Sequence, residues 1–232
     1  IGAVNIHYGS KYSDIEYNNI IVSAAAKAGI AAFTGDGTDL NVMESAITVI
    51  KENNGFGVPT VKPWNDKIIK EKFEMIKDCG SFAVAMDIDA AGLPFLKNLT
   101  PKAGTKSIEE LSNIIKYFKI PFIVKGIMTV KGALKAQECG AAAIVVSNHG
   151  GRVLDQCAAT AEVLEDIVKA VKGASKNKES SMKIFVDGGI RSGADVFKAL
   201  AIGADGVLIC RPFVLAVYGG GSEGVLTYIE KI

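Results

Sequence analysis

The chain has 232 residues, 49% of them apolar and 22% charged, with a formal net charge of +1. Such a composition supports a sizeable core and argues against disorder, and the near-neutral balance gives no electrostatic footprint for nucleic acid or an anionic membrane face. No apolar run approaches the roughly 20 residues that a membrane helix needs.

Strand-like and helix-like patterns alternate along the whole chain. Residues 1–5 read as a first strand. Residues 14–28 read as a helix, with Ile20, Ile21, Ala24 and Ala25 on one face and Gly29 as its stop. A second strand at 30–34 ends in Gly35-Asp36-Gly37, and Asp39 caps a helix that reaches about residue 52. The third strand, 58–62, leads through Pro63-Trp64 into a helix over 65–78. A fourth strand at 82–89 precedes an irregular stretch over 90–105. Ser107 and Glu110 have capping-box spacing at the head of a helix that runs to about 118. The fifth strand (120–125), a helix (129–138) and the sixth strand (142–147) follow. A helix over 160–171 then gives way to a polar loop at 172–182, whose lysines read as solvated. The seventh strand (184–187), a helix (193–201), the eighth strand (206–209) and a last helix over 223–232 complete the chain, with Gly219-Gly220-Gly221 as a flexible entry. Helix ends carrying glycine recur before the even-numbered strands, a weak internal echo.

Eight strands alternating with eight helices are the pattern of an α/β chain folded as a parallel (β/α)8 TIM barrel. No linker or boundary interrupts it, so residues 1–232 read as one domain. Ile1 is preceded by no initiator methionine and is already strand-like, so a fragment lacking an N-terminal segment is expected. Cys79, Cys139, Cys157 and Cys210 show no C-x-x-C pair and no histidine at metal-ligand spacing. They read as thiols of a cytoplasmic protein, with no metal site.

Barrel sites lie at the C-terminal ends of the strands. Those ends read Thr34-Gly35-Asp36, Lys62-Pro63-Trp64, Asp87-Ile88-Asp89, Lys125-Gly126, Ser147-Asn148-His149, Asp187-Gly188-Gly189 and Cys210-Arg211-Pro212. Core packing has no use for that polar ring. After the sixth strand, His149 offers a proton acceptor near neutral pH, and Arg152 a guanidinium that can grip a carboxylate with two hydrogen bonds. Only three of the 26 basic residues are arginines. Arg152, Arg191 and Arg211 all follow the last three strands, which points to an anion site. Gly188, Gly189 and Arg191 after the seventh strand, with Arg211 after the eighth, have the composition and position of a phosphate cradle at a helix N-terminus. His7, after the first strand, reads as a loop histidine. Trp64 either covers a ligand or caps the next helix.

Four blocks in order, Ile123-Val124-Lys125-Gly126, Ser147-Asn148-His149-Gly150-Gly151-Arg152, Asp187-Gly188-Gly189-Ile190-Arg191-Ser192-Gly193 and Arg211-Pro212, resemble the FMN-dependent α-hydroxy acid oxidases and dehydrogenases, the lactate and glycolate oxidase kind. The Ser-Asn-His-Gly-x-Arg block is the most specific, and the resemblance is strongest from Pro121 onward. It implies FMN as cofactor, with Lys125 stabilising negative charge on the reduced flavin, Ser147 contacting the ring and Asp187 the ribityl chain. Gly188, Gly189, Arg191, Cys210 and Arg211 would hold the phosphate. His149 would be the base and Arg152 the carboxylate anchor, and Asp89 would stabilise the imidazolium. A small 2-hydroxy acid substrate and a homo-oligomer, a tetramer, are implied as well.

The chain departs from the family pattern at Thr60 and Lys62, where a glutamine and a tyrosine are usual, and at Asp87, where a threonine is usual. Cys210 replaces a glycine, and no second arginine appears within 89–105. Lys62 either supplies a lost cationic contact to substrate or is solvated. Two competing readings are an FMN-barrel isomerase of the type 2 isopentenyl diphosphate isomerase kind and a flavin-binding barrel without hydroxy acid activity. His149 and Arg152 in one block favour the oxidoreductase.

Overall fold

The structure, a computed structural model, describes residues 8–37, 39–97, 103–174 and 181–232. The expected first strand and His7 lie outside the described residues. The chain groups into two compact units. One takes the described residues of Ile1–Val61, Asp66–Ala85 and Cys210–Ile232, and the other those of Lys62–Asn65 and Met86–Ile209.

In the first unit, α1 (Asp14–Lys27) opens on a reciprocal capping box. The Ser13 hydroxyl accepts from the Glu16 amide, and Glu16 Oε2 accepts from the Ser13 amide at 2.8 Å. Strand β1 (Ala32–Phe33) pairs in parallel with β2 (Gly57–Val58), and Asp39 caps α2 (Leu40–Glu52). The strand expected at 58–62 is divided, with β2 followed separately by β3 (Thr60–Val61). Pro59 lies at the division, where it has no amide to give to a ladder. Its carbonyl instead accepts from Ala85, in β4 (Val84–Asp87), the neighbour of β3. Helix α3 (Asp66–Ile76) lies between those two strands in sequence.

The last helix, α9 (Arg211–Lys231), begins twelve residues earlier than expected, because Pro212 in its first turn suits a helix start. The glycines read as an entry are a break inside it. Gly221 takes φ 56° and ψ −139°, while Val214, Val217 and Val225 on either side remain buried with Tyr17 and Ala24 of α1.

The second unit carries the end of β4 and then a 3₁₀ turn, Ile88–Gly92, so the fourth strand stops two residues short of its expected limit. Phe82, expected at its start, is half exposed and outside the strand. The irregular stretch holds a short α4 (Pro94–Lys97). After it come α5 (Ile108–Phe118), β5 (Phe122–Ile127), α6 (Val130–Glu138), β6 (Ala143–Val146), a 3₁₀ turn at His149–Gly151 and α7 (Thr160–Ala174). Next are β7 (Lys183–Val186), α8 (Gly193–Ile202) and β8 (Gly206–Val207). The strands neighbour one another in chain order, β4-β5-β6-β7-β8. The β5–β6, β6–β7 and β7–β8 pairs are parallel. This is the β-α repeat of a (β/α)8 barrel.

Buried Val124, Ile144, Val145, Ile184 and Val186 make the strands apolar until their last residues. The capping boxes at Ser107/Glu110 and Ser192/Asp195 form in both directions. Lys172, read as solvated, lies in α7, where its ammonium donates to the Gly203 carbonyl at 2.7 Å and stands 3.3 Å from Asp205. Lys183 lies 3.7 Å from the same carboxylate. Asp205 also accepts from the Ile184 amide, so it ties α7 and β7 to the turn before β8. Among the described residues, no helix is long and apolar enough to cross a membrane.

Candidate active site

Six of the expected site residues lie together in the second unit with Asp87, a departure from the family pattern. Lys62 follows β3, Asp87 ends β4 and Asp89 lies in the turn after it. Lys125 is in β5, Ser147 and His149 follow β6, and Asp187 follows β7.

Asp87 is the electrostatic centre of the group. Its Oδ2 lies 2.7 Å from Lys62 Nζ and its Oδ1 3.1 Å from Lys125 Nζ. Lys125 Nζ also donates to Ser147 Oγ at 3.3 Å and stands 3.7 Å from Asp187 Oδ2. Burial alone would raise the pKa of Asp87, but Lys62, then Lys125 and His149, outweigh it and hold the carboxyl well below the usual range. Burial would likewise push Lys125 down, yet Asp87, Asp187 and Asp89 hold it above an ordinary lysine. Both groups are therefore charged at neutral pH. Asp187 goes the other way. Its burial raises it more than Lys125, Ser147 and His149 draw it down. Lys62 is thus buried and paired with Asp87, which corrects the solvated alternative. Its ammonium faces a carboxylate of the chain itself, so a substrate contact would have to be made from inside that pair.

His149 is presented on a constrained turn. Its backbone is left-handed, with φ 56°, a conformation that costs a non-glycine residue about 1–3 kcal/mol. The turn is fixed from both sides: the His149 amide donates to Ser147 Oγ at 3.2 Å, and the Asn148 side chain accepts from Gly150 and donates to the Ala158 carbonyl. Nδ1 lies 3.1 and 3.0 Å from the two Asp89 oxygens. A carboxylate there selects the tautomer with the proton on Nδ1, leaving Nε2 with the lone pair. The Arg152 Nε donates to the His149 carbonyl at 3.2 Å, so one turn carries both the base and the guanidinium.

Asp89 reaches His149 only because position 126 has no side chain. A register shift interrupts the β5–β6 pairing between Lys125 and Ile127, and Gly126 takes φ 99°. A Cβ there would stand 2.3 Å from Asp89 Cγ. A cavity of about 190 Å³ opens beside this contact, lined by Asp89, Gly126, Met128, Leu154 and Cys157 among others.

Asp87, Asp89 and His149 also each bring a ligand atom within 4.8 Å of the others, the spacing of a metal site. Two ammonium groups already face Asp87, and they oppose a cation there.

After β7, Gly188 and Gly189 both take positive φ, and the side-chain position at Gly189 is open. The Thr160 hydroxyl donates to the Asp187 carbonyl at 2.6 Å, fixing the loop from α7. Asp195 Oδ2 accepts from the amides of Arg191 and Ser192, at 3.1 and 3.0 Å. An anion here would rest on the two glycines and the Arg191 side chain. Cys210 and Arg211 belong to the first unit. There, Cys210 is the exposed N-cap residue of α9, and Arg211, expected in a loop, is the first residue of the helix.

Sequence reasoning missed the Lys62–Asp87 pair, although its signal was visible: two departures of opposite charge at the ends of neighbouring strands β3 and β4. It also missed the buried pair of Lys72 and Asp36 in the first unit, 2.9 Å apart.

Residues 95–232 match the FMN-dependent dehydrogenase family. A peroxisomal (S)-2-hydroxyacid oxidase of Arabidopsis thaliana is 48% identical over 127 residues, 55% of this chain and 32% of that protein. Glycolate oxidase 5 of Oryza sativa subsp. japonica is 45% identical over 113 residues, 49% of this chain and 29% of that protein. The matched stretch therefore spans about a third of the length of these relatives. Among solved structures, a crystal structure of mandelate oxidase superposes with a TM-score of 0.77 at 26% identity, covering 99% of this chain and 69% of that one. The same enzyme with benzoyl-formic acid gives 0.76, at 26% identity and 99% and 68% coverage.

Proposed function

The chain belongs to the FMN-dependent dehydrogenase family, and from that premise we propose that it serves an FMN-dependent oxidoreductase converting a small L-2-hydroxy acid of the lactate or glycolate kind to the 2-oxo acid. The observation that carries this reading is the His149–Asp89 pair, with Arg152 anchored to the same turn.

The residues present fit the cofactor. Asp187 Oδ1 is buried without a hydrogen-bond partner among the described residues, an acceptor that a polyol hydroxyl would satisfy. Lys125 is a charged, buried ammonium, suited to an electron-rich ring. Ser147 and Lys125 would hold the ring and Asp187 the ribityl chain. To the phosphate the family pattern assigns Gly188, Gly189 and Arg191, together with Cys210 and Arg211.

When bound, FMN supplies the two-electron acceptor for oxidation of the hydroxy acid. Arg152 binds the substrate carboxylate through a charge-assisted pair. His149 Nε2 accepts a proton from the substrate, and Asp89 stabilises the imidazolium that results. Lys62 is paired with Asp87, so a contact from it to the substrate would be made from inside that pair. An isomerase or an inert flavin barrel would have no need for a base backed by its own carboxylate on the turn that carries a carboxylate anchor.

The compartment follows the thiols only in part. Cys79, Cys139, Cys157 and Cys210 are free, which suits a reducing compartment. Cytoplasmic placement is our proposal, set against a relative named as peroxisomal. A homo-oligomer is proposed on the family resemblance.

The test is an anaerobic visible spectrum of the purified protein before and after a panel of 2-hydroxy acids. A flavin band bleached by one acid is the expected result and identifies the substrate. A band that no acid bleaches would refute the oxidoreductase, and no flavin after added FMN would refute the cofactor.

A further inference from the structure

We propose that Lys62 is a positioning residue whose charge keeps Lys125 available as a cation to the bound flavin, by occupying the other oxygen of Asp87. The inference rests on the function proposed above.

It starts from how the three side chains divide their contacts. Asp87 gives Oδ2 to Lys62 and Oδ1 to Lys125, at 2.7 and 3.1 Å. All three are largely withdrawn from water, with side-chain exposures of 11%, 9% and 14% for Lys62, Asp87 and Lys125. In that environment, charges are screened weakly and the count of charges decides the local field. Two ammonium groups stand against the Asp87 carboxylate and the more distant Asp187 carboxylate, so the parent cluster is balanced. With Lys62 absent, Lys125 and Asp87 would neutralise each other, and Asp187, 3.7 Å from the same ammonium, would tip the balance further.

Lys125 would then offer little positive charge to an acceptor that gains electrons. Lys62 therefore reaches the reaction without contact, through the carboxylate that it shares. The arrangement has a second consequence. Because Asp87 bridges both lysines, removing Asp87 together with Lys62 takes away one negative and one positive charge and so restores the net charge of the parent cluster.

The bland alternative is that Lys62 only satisfies a buried carboxylate. The midpoint potential of the bound flavin separates the two, read by equilibrium reduction against a dye in the FMN-loaded protein. We expect Lys62→Met to shift the oxidised–reduced equilibrium at least tenfold toward the oxidised form, about 30 mV for a two-electron couple. Lys62→Arg should keep the parental potential. The double variant Lys62→Met/Asp87→Asn should recover most of the shift.

FMN dissociation constants, measured by fluorescence on apoprotein, accompany each potential. They show whether the variant site still receives the cofactor. A parental potential in Lys62→Met, or a double variant as displaced as the single one, would overturn the inference while leaving the proposed function intact. A parent protein that binds no FMN would overturn both.

Discussion

Replacing Gly126 by alanine isolates the support of the base from the base itself. The added Cβ would stand 2.3 Å from Asp89 Cγ and 2.5 Å from Oδ1. Carbon atoms rest at about 3.5 Å or more, so the carboxylate must retreat by roughly 1 Å. Its bonds to His149 Nδ1 are already 3.0 and 3.1 Å, and that retreat takes them beyond hydrogen-bonding range. A displacement of this size at a catalytic group costs on the order of 100-fold in rate. The backbone contributes separately, since φ 99° at a residue with a side chain costs about 1–2 kcal/mol in stability. Gly140→Ala supplies the control. Its φ is 87°, nearly the same strain, but nothing lies within 4 Å of the new atom. Both variants should lose similar stability in urea titration, and only Gly126→Ala should lose the rate of flavin reduction by substrate in stopped flow. Equal rates in the two variants would refute the claim that Asp89 must sit over position 126.

Three further outcomes are expected. His149→Gln should retain FMN and reduce it at least ~100-fold more slowly with substrate; unchanged reduction kinetics would remove His149 from the chemistry. Arg211→Ala should weaken FMN retention, seen as faster loss of yellow colour on dialysis, and equal affinity in variant and parent would contradict a phosphate contact. Asp87 should steepen acid unfolding. Its folded pKa lies below its unfolded value, so its stabilisation is fully present above about pH 4 and is lost as the pH falls through the folded value. Stability of Asp87→Asn should vary less with pH below 4, and parallel curves for variant and parent would exclude this contribution.

The parts of the fold legible in the sequence were those set by near neighbours. Ser107/Glu110 announces a helix start by its spacing and forms its capping box, as do Ser13/Glu16 and Ser192/Asp195, which were not read as such from the sequence. Apolar runs such as Ile144-Val145-Val146 announce buried strands. Where strands end is decided elsewhere. Pro59 divides one, and Ile88–Gly92 coils away early because Asp89 turns toward a histidine 60 residues distant. Lys62 shows the same limit at the site. Its charge was readable, but its role depends on Asp87, 25 residues on, and no local pattern pairs them.

The left-handed backbone of His149 ties these threads together. A turn that costs about 1–3 kcal/mol persists only when its surroundings over-determine it. Ser147 Oγ, the Asn148 side chain and the Asp89 carboxylate each hold a different part of that turn. Ser147 also accepts from Lys125, and Asp89 lies over Gly126 in the adjoining strand. The base and the charged lysine are therefore oriented by shared partners. A change at either end of this chain of contacts reaches the other through one hydroxyl, so Ser147→Ala should disturb the imidazole and the ammonium together. Comparing its effects on substrate reduction and on flavin potential would reveal that coupling. If only one of the two moved, the shared hydroxyl would not be what orients both groups.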